Sequence, residues 1–190
     1  MSPAALGEAV SSFLSAVSDE LAALSGKPAA GFLADVANEV SNIVGGVMAA
    51  DDRCTDGELD AYLDVVGPLL DPPLITSTVA ARSMNLFRGK PQALQQPSVL
   101  FDLLCRADEQ YGSRRSHVYY ELGLRLAHVS AALDLVPSVA ELTLIDTFRS
   151  CMLRRLDAGG VPRPGQPAPA PPAAPGPGTP MPAGGAMAPH

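Results

Sequence analysis

From Pro3 to Leu156 the apolar residues recur at steps of three and four, the spacing that paints one stripe along an α-helix. The first stripe is Leu6, Val10, Phe13, Val17, Leu21 and Leu24. Ser2-Pro3 provides a cap and a first-turn proline before it, and Gly26-Lys27-Pro28 stops it. The second stripe is Leu33, Val36, Val40, Ile43 and Val47. It contains Gly45-Gly46, which cost about 1 kcal/mol each against alanine inside a helix. A close approach by another helix would account for the pair.

Further helices follow at about 56–70 (Leu59, Tyr62, Val66 and Leu69 inward), 74–87, 97–111 (Leu100, Leu103, Leu104 and Ala107), 114–133 and 139–156. Asp71-Pro72-Pro73, Gly89-Lys90-Pro91 and Gly112-Ser113 separate them. No Asn-Gly hairpin and no sustained apolar/polar alternation argues for strands. The expectation is an all-α fold, one compact domain of about seven helices over residues 1–157.

Composition changes at Ala158. The last 33 residues hold 11 of the 19 prolines, 7 of the 17 glycines and a single charge, Arg163. Such a stretch has little to bury and cannot enter a helix. Residues 158–190 are expected to be a disordered, partly polyproline II tail. Pro164-Gly165-Gln166-Pro167 has PxxP spacing, and a plain spacer role suffices for it.

Charge narrows the partners. The body carries 12 basic against 20 acidic groups, which disfavours nucleic acid and anionic membranes. No run of 18 apolar residues is present to span a membrane, and the N-terminus lacks the basic segment of a secretory signal. Cys54, Cys105 and Cys151 form no CxxC pair and read as reduced thiols of a cytoplasmic protein, Cys105 and Cys151 in the core.

The most informative pattern is a repeat. Asp51-Asp52-Arg53-Cys54-Thr55-Asp56-Gly57-Glu58-Leu59 and Asp134-Leu135-Val136-Pro137-Ser138-Val139-Ala140-Glu141-Leu142 both fit D-x-x-x-[ST]-x-x-E-L, 83 residues apart. The register continues as Tyr62 with Ile145 and Leu69 with Met152, but breaks at Val66 with Arg149. The [ST]-x-x-E half is a capping box, so Thr55, Glu58, Ser138 and Glu141 have a structural role. The leading Asp51 and Asp134 sit where a helix C-terminus disfavours negative charge. Either loop amides hold them in Asx-turns, or they share a bound divalent cation with neighbours such as Asp52 and Asp56.

With Met48-Ala49-Ala50-Asp51 to Glu58-Leu59 and Ala131-Ala132-Leu133-Asp134 to Glu141-Leu142, the chain resembles the tellurite-resistance TerB-like family. The likeness covers about residues 30–157. It implies an internally duplicated helical domain of about seven helices, linked to stress and metal-oxyanion resistance and sometimes to a divalent metal. It also implies protein partners, among them chaperone or AAA-type ATPase modules. Matched by position, Asp51 and Asp134 would be the acidic-site residues. The family's glycine after the aspartate is Asp52 in one half and Leu135 in the other. Asp tolerates a left-handed backbone and Leu does so poorly, so the second connector should turn differently.

Catalytic patterns are wanting. Asp52 to Leu63 fails as a calcium loop, with Cys54 at the third place and Leu63 at the twelfth. No HExxH, GxSxG, Walker A or Glu-x-x-His occurs. His117 and Glu121 read as a surface pair, His128 as a partly buried histidine, and Arg114-Arg115 as a solvated helix start. One of Tyr119 and Tyr120 should pack inward. The expected function is a non-catalytic interaction or adaptor module. A divalent-metal-binding stress protein is the alternative, and a small enzyme ranks third.

Overall fold

A computed structural model describes residues 3–134 and 136–161. Its order is α1 (Pro3–Ser25), α2 (Leu33–Met48), α3 (Asp56–Val65), α4 (Thr78–Ser83), α5 (Lys90–Ala93), α6 (Val99–Tyr111), α7 (Arg115–Ala131) and α8 (Val139–Ala158), with 3-10 turns at Ala29–Phe32 and Gly67–Leu69. All regular structure among the described residues is helical. No described helix is long and apolar enough to cross a membrane.

The strongest periodicities become the core. Leu6, Val10, Phe13, Val17 and Leu21 of α1 are buried, as are Val36, Val40, Ile43 and Val47 of α2, while Leu33 is exposed. α2 is enclosed almost all round its second half, every residue from Ile43 to Met48 being buried. A helix apolar on all faces belongs in the middle of a fold. α1 and α7 pack on each other and on α2, α8 packs on α7 and α2, and α6 packs on α7 and α8. Tyr119 of α7 is wedged between Phe13 and Phe101 at ring distances of 5.2 and 5.1 Å. Its hydroxyl donates to Glu39 of α2, whose carboxyl burial raises above its ordinary range.

The Gly45-Gly46 pair does admit another helix, and it is α5. A Cβ at Gly46 would lie 2.9 Å from Leu94 Cδ1 and 3.0 Å from the Lys90 carbonyl oxygen. One at Gly45 would meet the Phe87 ring at 2.7 Å. This approach carries Lys90 Nζ inward, where it donates to the Ser41 carbonyl oxygen at 3.0 Å and to Ser41 Oγ. Ser41 Oγ in turn lies 2.6 Å from Tyr62 Oη. No carboxylate among the described residues pairs with this ammonium, and burial lowers its pKa to about 8.

Eight α-helices stand among the described residues where about seven are expected, because a short one, α5, follows the expected stop at Gly89. Ser77 caps α4 through the Ala80 amide, so the helix begins after 74, and Asn85 turns left-handed at φ 52°. Gly89, at φ 80°, then starts α5 with Pro91 in its first turn, so Gly89-Lys90-Pro91 opens a helix instead of closing one. The expected helix over 56–70 is cut at Val65 because Pro68 has no N–H to bond the Asp64 carbonyl. On α6 the inward face is Phe101, Leu104, Cys105 and Ala107, and Leu103 is exposed. His117 is buried and His128 exposed, the reverse of the sequence expectation for both. His117 lies on the face of α7 turned to the core, while Glu121 is exposed.

The body also extends beyond residue 157. Ala158 ends α8, and Gly160 at φ 66° follows. Val161 N–H donates to the Leu156 carbonyl at 3.1 Å, and Gly160 N–H to the Asp157 carbonyl at 3.1 Å. That is a Schellman cap, and its Val161 is buried against the core. The glycines that look like the start of a tail are a helix stop. The expected disordered tail, with Ser2 and Leu135, otherwise lies outside the described residues.

Two stability outcomes follow. Gly46→Ala should destabilise by about 1–3 kcal/mol in denaturant unfolding, since its backbone neighbour cannot move aside. Gly7→Ala, with open space at its Cβ, should instead stabilise by up to about 1 kcal/mol. Lys90 has a folded pKa near 8, below its unfolded value of about 10.4. The unfolded chain therefore holds more protons between these values, and stability rises with pH there. The thiols of Cys54 and Cys105, pushed up to about 12 and about 11 mainly by burial, pull the other way. The difference between wild type and Lys90→Met isolates the lysine. Wild type should gain on the variant from pH 8 to 10.

Candidate functional site: the paired connectors

Each half of the repeat ends one helix and caps the next. After α2 the chain turns through Ala49 and Ala50. Asp52 takes φ 59°, the left-handed conformation that aspartate tolerates. Asp51 Oδ1 accepts the Arg53 N–H at 3.0 Å, the Asx geometry. Thr55 then caps α3, with Glu58 N–H donating to Thr55 Oγ1 at 3.3 Å and Thr55 N–H donating to Glu58 Oε2 at 2.7 Å. The second connector repeats the box. Glu141 N–H donates to Ser138 Oγ at 3.2 Å, and Ser138 N–H to Glu141 Oε2 at 2.6 Å. The register beyond holds at Tyr62 and Ile145, both buried, and at Phe148, which replaces Arg149 in the core.

Tertiary packing brings the two connectors together. Thr55 Oγ1 lies 3.4 Å from Asp134 Oδ1, across 79 residues of chain. Glu58 and Glu141 are each only 3% exposed, so two carboxyls are enclosed at this junction. Burial raises both pKa values, the cap hydrogen bonds oppose it, and neighbouring carboxylates add to the rise: Asp134 and Glu141 for Glu58, Asp51 and Asp134 for Glu141. The Cys54 thiol beside them is pushed up by burial first and by the Glu58 charge second. It is a neutral thiol at ordinary pH, poorly suited to nucleophilic work.

Of the acidic residues named from sequence, Asp51 and Asp134 do reach one neighbourhood. Asp56 does not join them. Its Oδ1 is held by Arg82 of α4, at 2.6 Å from Nη2 and 2.9 Å from Nε. Asp52 lines a separate cleft. For a divalent cation the arrangement is a poor fit. Among the described residues no three His, Cys, Asp or Glu side chains are gathered closely enough to hold a metal ion. One carboxyl oxygen each of Asp51, Glu58 and Glu141 is already taken by a backbone amide.

The junction has an apolar border that the stripe analysis missed. Val136 is 80% exposed, Val139 81% and Leu142 49%. The signal was present in α8. Its buried residues Glu141, Leu144, Ile145, Phe148 and Met152 define one face, and Val139 and Leu142 fall outside it. Asp108 was also missed. From α6 it accepts the amides of Arg115 and Ser116, both at 2.8 Å, and so caps α7 from a distance. No sequence spacing marks a cap supplied by another helix.

The raised carboxyls predict a pH response. Their folded pKa values exceed the unfolded ones, so the folded state binds more protons in that window and stability falls as pH rises through it. Glu58→Gln with Glu141→Gln keeps both boxes, since glutamine serves at N3. Thermal unfolding of the double variant between pH 4.5 and 7 should show a flatter profile than wild type, with its relative gain at pH 7. Parallel profiles would contradict the electrostatic coupling.

No protein-family model, no curated protein and no solved structure matches this chain.

Proposed function

We propose that the chain is a non-catalytic, TerB-like interaction module, and that the paired connectors present its docking surface. One observation carries the reading. Exposed Val136, Val139 and Leu142 adjoin a junction of four carboxylates, Asp51, Glu58, Asp134 and Glu141, none of which has an ion pair among the described residues. Exposed apolar side chains rimmed by charge are the usual chemistry of a protein-binding patch. The partner surface that fits is apolar with a basic border, and the TerB-like resemblance points to chaperone or AAA-type ATPase modules as its source.

Two further facts support the absence of catalysis. Ser41, Lys90 and Tyr62 form a hydrogen-bonded hydroxyl–amine group of the kind that can activate a serine. Ser41 is 4% exposed, however, and its hydroxyl is engaged by both neighbours. Cys54 carries its proton to high pH.

The test is capture from cell extract by the full chain, compared with Val139→Asp/Leu142→Asp. Both positions are exposed, so melting temperature should be preserved to within a few degrees. The expected result is a captured protein that the double variant loses. Capture indifferent to these residues would overturn the surface. In parallel, melting is followed with calcium, magnesium, manganese and zinc. An ion at 100 times its dissociation constant stabilises by about 2.7 kcal/mol, or on the order of 5–10 °C here. Such a shift, abolished by Asp51→Asn and Asp134→Asn, would transfer the assignment to a divalent-cation protein.

A further inference from the structure

A cleft of about 460 Å³ opens where the end of α2 and the first connector face α4 and the segment 85–92. That volume lies in the range of small-ligand pockets. Leu59, Leu86 and Phe87 supply apolar lining, Asp52 reaches it from the connector, and Arg82 and Arg88 reach it from the other side. Arg82 is engaged by Asp56. The side chains of Arg88 and Asp52 have no ion-pair or hydrogen-bond partner among the described residues.

The backbone around this cleft is unusual as well. Asp52 and Asn85 are the two non-glycine residues with left-handed φ among the described residues, and both line it. Each such turn costs of order 1 kcal/mol and persists where the surroundings enforce it. Together they place a free carboxylate and a free guanidinium on facing segments around an apolar lining. A simple anion there would meet Asp52, and a simple amine would meet Arg88. A molecule with both charges satisfies both, and guanidinium matches carboxylate bidentately.

We propose that this cleft binds a small zwitterion with an apolar body, an apolar amino acid or dipeptide, with its carboxylate on Arg88, its ammonium on Asp52 and its side chain against Leu59, Leu86 and Phe87. The site is independent of the docking surface proposed above. Asp52 stands on the first connector, but neither charged side chain is among the four carboxylates or the apolar border of that surface, and either assignment can fail alone.

The experiment is an amide chemical-shift titration of the ¹⁵N-labelled full chain with L-phenylalanine and with Leu-Leu. 3-Phenylpropionate and phenethylamine are the one-charge comparisons. The expected result is saturable shifts at Asp52, Cys54, Asn85 and Gly89 with at least one zwitterion, and weaker binding of both comparisons. Arg88→Gln and Asp52→Asn should each weaken the zwitterion by about tenfold or more. Asparagine tolerates the left-handed turn at 52, and Arg88 is exposed without a partner, so both variants should keep the wild-type spectrum elsewhere. No saturable shift with either zwitterion, equal affinity for a one-charge analogue, or indifference to both substitutions would overturn the proposal.

Discussion

The enclosure of α2 is the constraint on which the other contacts depend. From Ile43 to Met48 every residue is buried, so this helix must be covered on all sides. Bulky Val36, Val40, Ile43 and Val47 serve the large helices α1, α7 and α8. Gly45 and Gly46 serve α5, a single turn that can only reach its place where Cβ atoms are missing. The close approach then dictates chemistry. It draws the Lys90 ammonium into a site with hydroxyl and carbonyl acceptors but no counter-charge among the described residues, which is why burial depresses its pKa.

The end of α2 delivers the first connector to the second. Two capping boxes, each a local device that satisfies helix-start amides, become a shared feature once Thr55 reaches Asp134. The glutamates are good caps and poor neighbours. Hydrogen bonds lower their pKa values while burial first, and neighbouring carboxylates after it, raise them, and the rise wins. It is this junction, bordered by exposed Val136, Val139 and Leu142, that we propose receives a cationic and apolar partner. The cleft bounded by Asp52 and Arg88 lies on the same connector but uses different side chains.

How much was legible depended on range. Local devices were readable: the stripes of α1 and α2, both capping boxes, the left-handed Asp52 and the close approach at Gly45-Gly46 all come from patterns within a few residues. Glycines and prolines were readable only in part, because the same residue opens or closes a helix according to its neighbours. Gly89-Lys90-Pro91 looked like a stop and is a start, and Gly159-Gly160 looked like the onset of a tail and is a cap that buries Val161. His117 and His128 were exchanged because α7 has apolar residues on several faces, so its sequence does not say which face turns inward.

Sequence alone, then, determined the helical class, the repeat and the identity of the capping residues, since each rests on periodicity or on hydrogen bonds within a single turn. Tertiary structure decided what those residues meet. It paired Asp56 with Arg82, gave Arg88 no partner among the described residues, drew Lys90 inward, set Thr55 beside Asp134 and exposed Val139 and Leu142. These are contacts between segments tens of residues apart. They follow from how seven connections close around one buried helix, and no short window of sequence contains them.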